Sequence, residues 1–162
     1  MNKIANDTIL KYAIIGVLAW FSIDAFSTII NQISTFIFVL LGLKITAIFY
    51  ASQLSILLSV VFFAWFMAGI IYKRRADIKS LFINVVVIFI IVELLKFASY
   101  FTTPLLIATT IPSTNNYFVE LQNNWLFHGI EIVIKYVKPL IVGFTWFYYK
   151  SERFKQNKHG LI

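Results

Sequence analysis

The stretch "HGIEIVIKYVK" (residues 128–138) sets His128, Glu131, Lys135 and Lys138 inside a long apolar run. Spacings of three, four and three put them on one face of an α-helix, with Ile, Val, Phe and Leu on the other. An imidazole, a carboxylate and two ammonium groups on one stripe can bind an ion, relay protons or hold a polar solute. They can equally serve assembly, because a buried ion pair fixes which helices meet and in which register. A third use has the segment partly at the membrane surface with its lysines snorkelling. All three stay open from the residues alone.

The same pattern recurs upstream. Glu93, Lys96 and Tyr100 share a helix face, as do Asp24, Ser27, Thr28 and Asn31. A milder stripe carries Ser52, Ser55 and Ser59, with Gln53 beside it. With Tyr12, Leu81 and Phe147 as inner boundaries, Asp24, Glu93 and Lys135 each lie on the order of 18 Å into a bilayer, at about 1.5 Å per residue. Three helices thus bring charge to one level, and the six groups Asp24, Glu93, Lys96, Glu131, Lys135 and Lys138 are formally neutral. Each unpaired charge at mid-bilayer costs roughly 2.5–3.5 kcal/mol on insertion scales. Glu131 with Lys135 (i,i+4) and Glu93 with Lys96 (i,i+3) can pair within their own helices. Asp24 and Lys138 lack such a partner. They are expected to pair across the bundle, with each other or through the Glu93 and Lys135 pairs.

These groups imply a site in which Asp24, Glu93 and Glu131 are carriers or selectivity groups. Lys96, Lys135 and Lys138 are the counter-ions, and Ser27, Thr28, Asn31, Gln53, Ser55, Tyr100 and His128 are accessory lining. His128 and Glu131 form an H-x-x-E pair that Asp24 and Glu93 could complete as a metal site like those of four-helix carboxylate bundles. The lysines already neutralise those acids, so neither a metal nor any other cofactor is expected. Ser22, Ser27, Ser55, Ser59 and Ser99 read as helix-packing hydroxyls that bond back to carbonyls. No G-x-S-x-G, H-E-x-x-H or glycine-rich phosphate loop is present, and no enzyme activity is expected.

The elements that must position these groups follow from composition. Of the 162 residues, 60% are hydrophobic and 13% charged, and mean hydropathy is +0.83. A soluble domain is nearer a quarter charged, so the chain reads as an integral membrane protein. Four apolar segments, at about 10–30, 46–72, 81–101 and 125–149, are long enough to span. The expected fold is all-α: a single domain over 1–150, built as a bundle of four transmembrane helices. The piece 33–43 can extend the first helix, lie at the interface or re-enter the bilayer. An outer loop is expected at 102–124, where Pro104 and Pro112 lie, and a basic cytoplasmic tail at 151–162. The first segment reads as a retained helix rather than a cleaved signal.

Orientation follows from the cations. Ten lysines and arginines fall at the N-terminus, in "KRRADIK" (73–79) and in the tail, against Lys44 alone on the other side. That asymmetry puts both termini in the cytoplasm, most naturally across the plasma membrane. Topology accounts for most of the net charge of +7, so no nucleic-acid partner is expected, although anionic lipids can sit at the basic face. The absence of cysteine excludes disulfides and thiol chemistry. Gly16 and Gly69 suggest close helix contacts, and Pro139 a kink beside Lys138. Four helices seldom enclose a wide pore, so a path for ions, protons or small solutes would need a homo-oligomer or a membrane-protein partner. The competing function is a non-catalytic membrane subunit or assembly factor whose charges pair helices in a larger complex.

Overall fold

The computed structural model describes residues 3–72, 77–110 and 123–159. Four helices make up the described chain: α1 (Lys3–Leu40), α2 (Ile45–Ile71), α3 (Ile78–Thr110) and α4 (Trp125–His159). There are no strands among the described residues.

The helix ends follow local chemistry. Apolar residues 33–40 continue α1, so they do not form a separate interfacial or re-entrant piece. Gly42 stops the helix. Its φ of 67° is the left-handed conformation that glycine adopts without a Cβ clash. Gly42 N–H bonds the Val39 carbonyl (2.9 Å) and Leu43 N–H the Phe38 carbonyl (3.3 Å), which together satisfy the last turn. Asn124 starts α4: its side-chain oxygen accepts from Leu126 N–H at 3.1 Å, and its carbonyl from His128 N–H at 3.1 Å.

Two expected boundaries move. α3 does not stop at residue 101 but runs through position 104 to Thr110, as proline-containing helices can in apolar surroundings. α4 does not end at residue 149 but carries the basic tail on as helix to His159. The remainder of the expected outer loop, 111–122, and the cluster 73–76 lie outside the described residues.

Among the described residues close packing runs in the order α3–α1–α2–α4, and any contact between α3 and α4 is much weaker. The centre of the stack is dry. Ile15, Ala19 and Ile23 of α1 meet Val60, Ala64 and Met67 of α2, and Leu81, Val85 and Val92 of α3 join them. Small residues such as Ala19, Ala25, Ala64 and Ala68 are fully buried, which lets backbones approach where lipid gives no hydrophobic drive. Phe26 of α1 stacks on Phe63 of α2 with ring centroids 4.3 Å apart. Gly69 sits 3.5 Å from the Tyr149 hydroxyl when a Cβ is placed on it, so it marks an α2–α4 contact. Gly16 marks none, with nothing within 4 Å, which corrects the expectation there.

α2 and α4 are fastened at both ends. Phe49 stacks on Phe127 at 4.4 Å near one end. At the other, Trp146 donates from Nε1 to the Ala64 carbonyl at 3.0 Å, and Trp65 meets Tyr149 edge-on at 4.9 Å. The outer surface is broadly apolar: Phe82, Ile83, Ile90, Ile91, Leu94, Leu95 and Phe101 of α3 are all exposed. A soluble monomer rarely exposes so continuous a patch, whereas a lipid-facing protein requires it.

Candidate functional site

Between the two aromatic fastenings, α4 stands off from α1 and leaves an open cleft of about 310 Å³. One wall is the α1 stripe of Asp24, Thr28 and Asn31. Gln53 and Ile56 of α2 form the back. The other wall is Glu131, Ile134, Lys135 and Lys138 of α4. The helical spacing expected on α1 and α4 therefore brings two polar stripes face to face.

Lys138 closes the floor. Its Nζ donates to Asp24 Oδ1 at 2.9 Å and to Ser27 Oγ at 3.3 Å. Its side chain is 15% exposed and that of Asp24 38%. Of the two pairings expected for these residues, the direct one forms. Ser27 and Thr28 both donate to the Asp24 carbonyl, at 2.8 and 2.9 Å, so that turn of α1 is tied locally.

Higher in the cleft the charges are loosely held. Glu131 and Lys135 do not form the i,i+4 pair that their spacing suggests; among the described residues Lys135 has no carboxylate within ion-pair distance. Glu131 lies instead 3.8 Å from His128 Nδ1, and both are well exposed, at 51% and 71%. His128 therefore stands at the rim rather than in the lining. Asn31 Oδ1 is buried without a hydrogen-bond partner among the described residues, and so is Gln32 Oε1 on the same helix. Pro139 has no amide hydrogen to offer the carbonyl of Lys135, four residues before it.

Not every expected site residue joins. Glu93 and Lys96 pair with each other at 3.8 Å on α3, which packs on α1 and contributes no described residue to the cleft. The six charges thus form a group of four and a separate pair. Tyr100 is exposed on α3, and Ser55 turns its hydroxyl back to the Ala51 carbonyl at 2.9 Å. Ser22, Ser59 and Ser99 likewise bond carbonyls of their own helices, at 2.9, 2.7 and 2.7 Å. Sequence reasoning missed the apolar panels Ile56 and Ile134, and the Thr35–Ser52 hydroxyl pair that joins α1 to α2 at 2.9 Å. Thr35 lies four residues beyond Asn31 on the α1 stripe, and that spacing was the available signal.

Fold and site together define an all-helical protein of the membrane: α1, α2 and α3 each contain a stretch long and apolar enough to cross it. α4 is not among these three, because its charged stripe interrupts the apolar run. No family model, curated protein or solved structure matches the chain.

Proposed function

We propose that the chain is a four-span membrane protein with both termini in the cytoplasm, most simply in the plasma membrane, whose cleft is a polar path or pocket for an ion, a proton or a small solute. The observation that carries this is the state of Glu131 and Lys135. They face an open cleft and do not neutralise each other, and the four spans proposed here would hold them within the bilayer. Left to lipid, each would cost about 2.5–3.5 kcal/mol. Water, a solute or another polypeptide in the cleft offsets that cost. Asp24 and Glu131 are the candidate acidic carriers, with Lys135 and Lys138 as counter-ions. The open side of the cleft calls for a second copy or a partner subunit to complete the wall. Ten of the chain's cations lie on the assigned cytoplasmic side, and they favour anionic lipid there.

Ion and proton flux into liposomes holding the purified chain tests the proposal. Flux that falls at least tenfold in Asp24→Asn or Glu131→Gln is the expected result. No flux from folded, inserted protein overturns conduction by the chain alone.

A second reading has its own support. The Lys138–Asp24 contact spans two helices that do not pack closely, so the pair acts as a tie. An assembly subunit would use such ties to seat partner helices. It predicts that Asp24→Asn abolishes accumulation of the protein rather than flux.

A further inference from the structure

We infer that the cleft binds a small zwitterion with a primary ammonium and a carboxylate, of the size of a small α-amino acid. This rests on the polar-pocket reading and names the ligand class it would take. Three observations converge on it.

The first is the charge balance. Asp24 and Glu131 stand against Lys135 and Lys138, so the lining is formally neutral. Asp24 and Lys138 neutralise each other at 2.9 Å. What remains is one ammonium, Lys135, and one carboxylate, Glu131, which lies 3.8 Å from His128 Nδ1 at the rim; the two are a helical turn apart on one face and not joined to each other. A lone ion bound there would leave net charge deep in the bilayer. A zwitterion satisfies both groups and leaves the neutrality intact. Side chains at i and i+4 have Cβ atoms about 5–6 Å apart, room for a ligand whose own charges sit on neighbouring carbons.

The second is an orphaned acceptor. Asn31 Oδ1 lacks a donor on the wall opposite Glu131. An unmade hydrogen bond at a buried oxygen is costly; this oxygen is closed to solvent, and a turn of the Asn31 side chain into the cleft would bring it an N–H of a primary ammonium. A quaternary ammonium has no N–H to give. Pro139 likewise leaves the Lys135 carbonyl without its helical donor.

The third is size and lining. The cleft volume, about 310 Å³, is at the low end of small-molecule sites, which run from about 300 to 1,000 Å³. Ile56 and Ile134 give it two apolar panels suited to a methyl-sized side chain.

The test is titration of the purified chain in nanodiscs with alanine, trimethylglycine, acetate and methylammonium, read by thermal shift and calorimetry. Alanine should bind saturably, and the other three at least tenfold more weakly. Lys135→Gln and Glu131→Gln should each lose alanine binding at least tenfold. Lys135→Arg, which keeps the charge, should retain it and so controls for folding. Acetate binding as well as alanine would reduce the site to an anion site and overturn the inference, as would trimethylglycine binding as well as alanine. Proton and ion flux measured on the same preparation separates the two levels. Flux dependent on Asp24 without alanine binding removes the zwitterion and leaves the polar path. Neither flux nor binding removes both.

Discussion

Lys138 Nζ lies 2.9 Å from Asp24 Oδ1, and the two residues are 114 positions apart in the chain. Backbone packing between their helices is sparse among the described residues, so this contact and the Ser27 bond beside it tie α4 to α1. Losing one partner should be worse than losing both. Asp24→Asn or Lys138→Gln alone is expected to cost about 1–3 kcal/mol in denaturant unfolding. That is less than the 3–5 kcal/mol of a fully buried pair, because Asp24 is 38% exposed. The double variant should recover part of the loss, which a double-mutant cycle reads directly.

Trp146→Phe keeps the apolar ring and removes the Nε1 bond to the Ala64 carbonyl. The expected cost is about 1 kcal/mol in unfolding. Unchanged stability would mean that α4 does not rest on α2 as described.

The two glycines of the α1 segment should respond oppositely. Gly42→Ala forces a side chain into φ 67° and should destabilise by about 1–2 kcal/mol. Gly16→Ala meets nothing within 4 Å in mid-helix and should stabilise by about 0.5–1 kcal/mol. Paired thermal scans of the two variants check both signs.

The chain has no cysteine, so single thiols report water access without background. Lys135→Cys faces the cleft and Leu94→Cys the apolar side of α3. A membrane-impermeant maleimide should label the first at least tenfold faster. Equal rates would show that the cleft is no wetter than the lipid-facing surface.

The polar stripes were readable from spacing because a helical period is a local property. Asp24, Thr28 and Asn31 on α1 fell together with Glu131, Lys135 and Lys138 on α4 for that reason. Which stripes meet is a tertiary fact. Glu93 and Lys96 have a similar helical spacing and, from the expected inner boundaries, a similar depth, yet α3 packs on α1 away from the cleft. Equal depth restricts contact without specifying neighbours. Ser55 fails differently: its hydroxyl is satisfied within its own turn, a competition that spacing cannot reveal. The end of α1 is local too: a glycine after a long apolar run is a helix stop, and Gly42 holds that position. Pro104 does not break α3, which runs on through it to Thr110 because a proline in apolar surroundings need not end a helix.

The packing order α3–α1–α2–α4 bears on biogenesis. A ribosome delivers the three apolar helices first, and each can enter the bilayer on its own hydropathy. α4 emerges after them and carries the charges that resist entry. By then α1 already displays Asp24 and α2 has an open flank. In the proposed four-span arrangement, the helix least able to insert alone is thus made last of the four described, when its acceptor is waiting. Transposing α4 ahead of α1 in the gene would preserve every residue and remove that advantage.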